Sequence, residues 1–175
     1  MTSDYIEITA STTVHELLEA YPELEETLIS IAPAFKKLKN PLLRKSIAKI
    51  ATLKHISAVG NVPLNDLVNV LRKAVGQSEI SESYEDEKYY FDQPDWFSKD
   101  KIALSVNEEE LEVKDKMTIV VILQEAKHIK KGEIIELTTT FLPAPGIETM
   151  RSKGYSVWTK KEDENLIKTY FLKNN

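Results

Sequence analysis

The sequence predicts an α+β protein, with a helical bundle in its N-terminal half and a β-α-β-α-β-β two-layer sandwich in its C-terminal half. Apolar residues recur at helical spacing before residue 78, whereas apolar and polar residues alternate from Ile102 onwards, as in half-buried strands. The stretch between them is first acidic and then aromatic. We therefore expect a bundle over residues 1–78, a linker over 79–100 and a sandwich over 101–175.

The N-terminal half is predicted to contain four or five short helices. Glu16 lies three residues beyond Thr13 in a capping-box arrangement, which predicts a helix start at that point. A longer helix is expected from Pro41, with its apolar positions on one buried face through Ile50 to Leu53. Apolar residues of this kind fill the core of a small bundle.

A basic stretch raises the question of nucleic acid. Lys36–Lys54 holds seven basic residues and no acidic one. Ala51–Lys73 loosely resembles a helix-turn-helix with Gly60 in the turn, but Asp66 then stands where an apolar residue should point inward. We therefore favour a solvated basic helix face and keep nucleic-acid binding as an alternative. The candidate contact residues are Lys45 and Lys49.

Short motifs across residues 12–76 carry a family resemblance. They are Thr13-Val14, Tyr21-Pro22-Glu23-Leu24, Pro33-Ala34-Phe35 and Ala51-Thr52-Leu53. This half resembles the small helical bacterial modules grouped as domain of unknown function 1858. The resemblance implies a helical fold and brings no established reaction. Related modules of iron–sulfur repair proteins carry cysteines, which this chain lacks, so that role is not implied here.

The C-terminal half alternates strand and helix patterns. An acidic run at Glu108–Glu112 is expected to be a charged loop. The predicted elements, in order, are a strand at Ile102–Val106, a helix at Lys116–Ile129, a strand at Ile134–Phe141, a turn at Pro143–Gly146, a helix at Ile147–Lys153 and a hairpin of Tyr155–Thr159 with Leu166–Leu172.

The same half carries a second resemblance. The element order of this half resembles the sulfur-carrier-like TusA/SirA fold. The closer resemblance is to the cysteine-free relatives of that fold, grouped as domain of unknown function 2249. The motifs that carry it are Phe141-Leu142-Pro143-Ala144-Pro145 and Lys153-Gly154-Tyr155. Pro94-Asp95-Trp96-Phe97 resembles the lead-in found ahead of such domains. In sulfur carriers of this fold a Cys-Pro motif follows the first strand, and here that region reads Ser105-Val106-Asn107. Persulfide transfer by that route is therefore excluded.

One group of residues forms a candidate site for a small anionic ligand. Backbone N–H groups at a helix start attract anions, and a nearby cation would add to the attraction. The alternative is that the prolines only fix the turn and start the helix. The candidate residues are Ser105, Asn107, Pro143, Gly146 and Arg151.

Several chemistries are excluded or disfavoured. With no cysteine there is no disulfide, thiolate nucleophile or zinc–thiolate site. The histidines, His15, His55 and His128, lack metal-ligand spacing and are expected on helix surfaces. No metal or cofactor is predicted. No segment approaches the roughly 20 apolar residues that span a bilayer, so we expect a cytoplasmic protein.

The linker divides into two parts. Residues 79–100 carry eight acidic and two basic side chains, and the acidic part is expected to be a solvated spacer. Five aromatic residues follow between Tyr89 and Phe97. We expect them to pin the chain to a domain, with Trp96 and Phe97 buried; the alternative is that they contact a partner or a second copy.

These observations favour a non-enzymatic binding or regulatory module acting through protein contacts or a small anionic ligand. The first alternative is an accessory protein of sulfur or redox metabolism without the carrier cysteine. The second is a nucleic-acid binder that uses residues 36–54. An active enzyme is the last of the hypotheses, because no complete catalytic constellation is present.

Overall fold

A computed structural model of the chain divides into two compact units, Met1–Glu87 and Lys88–Asn175. The structure describes residues 5–81, 83–113 and 118–175. The mixed α+β class is confirmed, because the first unit is helical and the second is built on a four-stranded sheet. Within the described residues, no helix is both long and apolar enough to cross a membrane.

Across residues 5–81 and 83–87, the N-terminal unit contains five α-helices and two 3₁₀ segments. The helices are α1 (Val14–Ala20), α2 (Glu25–Ile31), α3 (Pro41–Ile50), α4 (Leu53–Gly60) and α5 (Leu64–Ala74). The 3₁₀ turns, Pro22–Leu24 and Pro33–Lys39, each begin with a proline, whose fixed φ suits the first turn of a helix. The expected bundle of four or five helices is therefore confirmed.

The start of α1 is the predicted capping box. The Glu16 amide donates to the Thr13 hydroxyl at 3.2 Å, and the Thr13 amide donates to the Glu16 carboxylate at 2.9 Å. Both bonds satisfy N–H groups that a helix start leaves open. Bonds from the Thr13 amide and from the Thr13 hydroxyl to the Glu16 carboxylate hold the pKa of Glu16 below its ordinary value, and the bond from the backbone amide is the larger cause.

The single long helix expected from Pro41 is wrong, because the chain breaks between α3 and α4. The Ala51 carbonyl accepts from the Val14 amide at 2.8 Å, and the Leu53 amide donates to the Thr12 carbonyl at 3.0 Å. Because the Ala51 carbonyl and the Leu53 amide bond to the segment ahead of α1, they make no hydrogen bonds within a continuous helix. Ile50, predicted to face the core, is 43% exposed as a result.

Two buried polar side chains fix the N-terminal segment ahead of α1. The Arg72 guanidinium donates to the Ile8 carbonyl at 2.8 Å, and the Gln77 side-chain oxygen accepts from the Ile8 amide at 3.1 Å. Arg72 also reaches the Ser78 carbonyl and pairs with Glu7 at 3.2 Å. The segment thus satisfies its backbone groups although Ile8 is fully buried.

Gly60 is the last residue of α4 and not the turn residue that the helix-turn-helix comparison placed there. The left-handed turn conformation belongs to Asn61, with φ of 51°. A Cβ on Gly60 would lie 2.7 Å from the Ile31 carbonyl oxygen. Gly60 is therefore a contact point that lets the ends of α2 and α4 approach each other closely.

Residues 78–81 and 83–87, here called the strap, lie along α5. Asn69 accepts from the Ile80 amide at 3.0 Å and Asn65 accepts from the Tyr84 amide at 2.9 Å. Asp86 accepts from the Leu64 amide at 2.8 Å at the start of α5, where Pro63 offers no capping side chain. Ile80 and Tyr84 pack against the helical core. The strap is thus hydrogen-bonded to its own unit, while its acidic residues Glu79, Glu85 and Glu87 are exposed to solvent.

The C-terminal unit contains one mixed sheet in the order β1-β2-β4-β3. Its strands are β1 (Ile102–Asn107), β2 (Ile134–Thr139), β3 (Ser156–Asp163) and β4 (Leu166–Leu172). β1 pairs with β2 in parallel, and β4 pairs antiparallel with both β2 and β3. Pairing of β3 and β4 forms the hairpin that the sequence predicts.

The helices of this unit are α6 (Glu108–Val113), α7 (Thr118–Glu125) and α8 (Ala144–Ser152). The acidic run predicted as a loop is therefore the helix α6, and Asn107 begins it by accepting from the Glu109 amide at 3.0 Å. The predicted helix start at Lys116 lies outside the described residues. The predicted turn at Pro143–Gly146 is mostly the first turn of α8, since Pro145 is tolerated near a helix start.

The two faces of the sheet differ. Ile135, Leu137 and Phe171 share one face and are fully or almost fully buried, and helices α6 and α8 contact the strands β2 and β3. On the other face Ile134, Trp158 and Tyr170 form a cluster that Trp96 and Phe97 cover. Further along, this second face carries polar side chains, as the two-residue alternation of strands allows.

Candidate functional site

The polar part of the second sheet face centres on Glu136 of β2. Its two carboxylate oxygens accept from the Ser105 hydroxyl at 3.1 Å and from the Lys168 ammonium at 3.0 Å. Strand register brings these residues together, because Ser105 pairs with Glu136 and Glu136 pairs with Tyr170. We call these four residues the Glu136 cluster.

Within the Glu136 cluster, the one negative charge is balanced by one positive charge. The Glu136 side chain is only 15% exposed, yet the Lys168 ammonium compensates its charge. Burial raises the pKa of Tyr170 far above its ordinary value, and the charge of Glu136 and a hydrogen bond to it raise the pKa further. Tyr170 therefore stays protonated and donates. Because its members satisfy one another, the cluster is well explained as a cross-strand polar network of the sheet.

The predicted anion-site residues are not all brought together. Ser105 binds Glu136, and Asn107 caps α6. Pro143 and Gly146 lie at the start of α8, while Arg151 lies in its last turn, roughly 10 Å along the helix axis at 1.5 Å per residue. The Arg151 guanidinium instead sits 5.8 Å from the centre of the Tyr89 ring. The contact described for Arg151 is therefore with an aromatic ring and not with the start of the helix.

The first turn of α8 lies close to α7 at Gly146. A Cβ placed on it would lie 3.6 Å from the Cδ1 atom of Ile119, which is ordinary contact. The first turn of α8 therefore already faces an apolar side chain of α7. Such surroundings agree with the alternative in which the prolines only fix the turn and start the helix.

A pair of aromatic residues stands out at the surface of the C-terminal unit. Tyr90 is 45% exposed and Phe91 is 56% exposed, whereas the neighbouring Tyr89 is 3% exposed and donates to Glu148 at 2.8 Å. Tyr90 forms a parallel bridge with Thr159 of the edge strand β3. The chain thus runs beside the sheet with two large apolar side chains turned towards solvent.

The backbone behind this pair is held firmly. The Trp158 indole N–H donates to the Phe91 carbonyl at 3.0 Å, and the Phe97 amide donates to the Pro94 carbonyl at 3.1 Å. Lys101 donates to the Trp96 carbonyl at 3.0 Å. We call residues 90–95 the aromatic loop, whose exposed side chains rest on a fixed main chain.

Trp96 and Phe97, the predicted partner contacts, pack on the sheet of their own unit. The Phe97 ring lies 4.7 Å from that of Trp158, centre to centre, and Trp96 and Phe97 are each half-buried. Within the segment from Tyr89 to Phe97, the aromatic side chains most exposed to solvent are Tyr90 and Phe91. The sequence does not tell which rings of this segment face the sheet, because that depends on the path of the chain, and partner contact through Trp96 and Phe97 stays a prediction.

The basic stretch of the N-terminal unit is partly neutralised. Ion pairs join Lys39 to Glu26 at 3.1 Å and Arg44 to Glu25 at 3.1 Å. Lys45 and Lys49 are exposed on α3, and no ion pair is described for either within the described residues. The strap covers part of α5, the predicted second helix of a helix-turn-helix, where Asn65 and Asn69 bind its backbone.

The histidines do not converge. Among residues 5–81, 83–113 and 118–175, no group of three or more potential ligands could hold a metal ion. His55 differs from the expectation of a surface position, because it is 3% exposed and its Nδ1 accepts from the Thr52 amide at 3.0 Å. His55 thus takes the capping-box place that Glu or Gln usually holds, at the start of α4.

Comparison with known proteins bears on the N-terminal unit. Residues 8–68 match the family model Domain of unknown function (DUF1858). This match supports the resemblance that the N-terminal motifs carry, and it covers about a third of the chain. No curated protein and no solved structure matches the chain.

Proposed function

We propose that the protein is a non-enzymatic binding module that acts through protein contacts, with Phe91 as its anchor. The observation that supports this proposal is an aromatic side chain that is 56% exposed although its own carbonyl is fixed by Trp158. Large aromatic side chains dominate the energetics of protein interfaces. A fixed backbone reduces the ordering cost of binding.

The small-anion alternative has weaker support. The Glu136 cluster satisfies its charges internally, and Arg151 lies at the far end of α8 from Pro143. The aromatic loop, in contrast, presents apolar area that has no role in the described fold. Protein contact is therefore the half of the sequence hypothesis that the geometry supports better.

The test is site-specific photo-crosslinking in living cells. A photoreactive phenylalanine analogue at position 91 is expected to trap a defined protein partner, and the same analogue at Val70 is the control. Val70 is 50% exposed on α5 of the other unit, so it samples solvent equally. The trapped partner is then purified, and its affinity for the intact chain is measured.

We expect Phe91→Ala to weaken that affinity about thirtyfold, the effect of losing a hot-spot side chain. Val70→Ala is expected to leave it unchanged. Equal crosslinking at both positions, or equal affinity of Phe91→Ala and the unchanged chain, would refute the proposal.

We also propose that the C-terminal unit has the sulfur-carrier-like fold that the sequence motifs suggest. Its β-α-β-α-β-β order, the parallel pairing of β1 with β2 and the antiparallel hairpin of β3 with β4 support this idea. The chain has no cysteine, so this fold brings no persulfide chemistry. An experimental structure of the unit that departs from this strand order would reject the assignment.

A further inference from the structure

The surroundings of Phe91 carry a charge pattern. Asp92, Gln93 and Asp95 are all exposed, and no ion pair is described for either aspartate among the described residues. Both aspartates follow the exposed Phe91 in the aromatic loop, one and four residues after it. An apolar centre with a charged rim is the usual arrangement of a protein interface.

We propose that the aromatic loop recognises a basic partner segment, in which an apolar pocket or side chain is flanked by Lys or Arg; this proposal rests on the proposed function. Phe91 provides the apolar contact, and Asp92 and Asp95 pair with the partner's cations. A neutral or acidic segment would leave these two carboxylates without compensation. Charge complementarity thus selects the partner, while the ring provides most of the affinity.

The main chain of the loop is suited to this role. The Trp158 indole N–H binds the carbonyl of Phe91. The Phe97 amide binds the carbonyl of Pro94 and closes a turn that contains Asp95. The main chain that carries the ring and the two aspartates is consequently fixed before binding. Preorganisation of this kind reduces the conformational entropy lost on association.

The experiment uses the full chain and three synthetic peptides with the same Leu-Trp centre, flanked on each side by two Arg, two Ser or two Glu residues. Binding is followed by fluorescence anisotropy of a dye on each peptide at low salt. We expect the Arg peptide to bind at least about tenfold more tightly than the Ser peptide, and the Glu peptide least.

Two variants locate the effect. Asp92→Asn with Asp95→Asn is expected to reduce the preference for the Arg peptide about threefold to tenfold, as the loss of two exposed ion pairs would. Phe91→Ala is expected to weaken the Arg and Ser peptides alike. Glu109→Gln with Glu110→Gln, two exposed residues of α6 for which no ion pair is described in the part of the chain that the structure covers, is the control for a general loss of negative charge.

Equal binding of the three peptides, or the same loss in the control variant, would overturn the basic-partner proposal while leaving Phe91 as an anchor. No detectable binding of the Arg peptide also overturns it. The proposed function fails separately, if the crosslinker at position 91 traps no more than the one at Val70.

Discussion

The ring of Phe97 lies against the ring of Tyr170, with their centres 4.5 Å apart and their planes tilted by 60°. Tyr170 in turn stacks on Trp158 at 5.2 Å. A residue from the segment ahead of β1 thereby completes the core on one sheet face. Without it, the cluster around Ile134 would meet water.

The first prediction concerns that contact. Phe97→Ala is expected to destabilise the C-terminal unit by about 2 kcal/mol, less than for a fully buried ring because Phe97 is half-buried. Both tryptophans of the chain, Trp96 and Trp158, lie in this unit, so tryptophan fluorescence during urea unfolding reports on it. Phe91→Ala removes an exposed ring of the same type and should shift the midpoint little. Equal shifts for the two variants would contradict the packing described.

A pair of glycines gives a second prediction. Gly60→Ala should destabilise the N-terminal unit by about 1–3 kcal/mol, because the added methyl group meets the Ile31 carbonyl oxygen at 2.7 Å. Gly146→Ala is the matched control, since its methyl group makes only ordinary contact and alanine favours a helix by up to about 1 kcal/mol. Circular dichroism at 222 nm follows the first variant and tryptophan fluorescence the second. A neutral Gly60→Ala would disprove the close approach of α2 and α4.

The capping box predicts a pH dependence. The folded-state pKa of Glu16 lies below its ordinary value of 4.5, so its stabilising effect is complete above that pH and is lost as the pH falls through the lowered pKa. Thr13→Ala should cost about 1 kcal/mol of unfolding free energy at pH 7. The difference in unfolding free energy between Thr13→Ala and the unchanged protein should become smaller below pH 4.5. Urea unfolding at pH 7 and pH 3 measures it.

The control for this experiment is Ser30→Ala, which removes an exposed hydroxyl that donates to the Thr27 carbonyl and caps no helix start. Its effect should be small at both values of pH. If the cost of Thr13→Ala is the same at pH 3 as at pH 7, the carboxylate of Glu16 is not part of the cap.

Hydrogen exchange tests the strap. Asn69→Ala should speed exchange of the Ile80 amide, and Asn65→Ala should speed that of the Tyr84 amide, because each side chain is the described acceptor for its amide. Each variant serves as the control for the other. If both amides exchange at the rate of an unstructured chain in the unchanged protein, the strap is not bound to α5.

Local rules were sufficient for some parts of this molecule. The capping box of Thr13 and Glu16 involves neighbours in sequence, and the alternation along β2 and β4 is visible in the chain itself. The break between α3 and α4 at Ala51 is not predicted from the sequence, because its cause is a backbone hydrogen bond to Val14, 37 residues earlier in the chain. The binding of the strap was missed for the same reason.

The candidate site illustrates the same limit. Glu136 and Ser105 meet only because β1 and β2 pair in one register, and a shift by one residue would turn the side chains of one strand to the other face. Which aromatic residues face solvent depends on the bond from Trp158 to the Phe91 carbonyl. Neither contact leaves a signal in composition or spacing.

The residues that hold the N-terminal segment have a practical consequence for dissecting the chain. The family match ends at Val68, inside α5, whereas Leu71 is fully buried and Arg72 and Gln77 bond to Ile8. A fragment trimmed to the matched residues would lose the second half of α5 and, with it, the Arg72 guanidinium that donates to the buried Ile8 carbonyl. The shortest fragment worth expressing therefore ends at Glu87, so the segment recognised by homology is shorter than the segment that can fold.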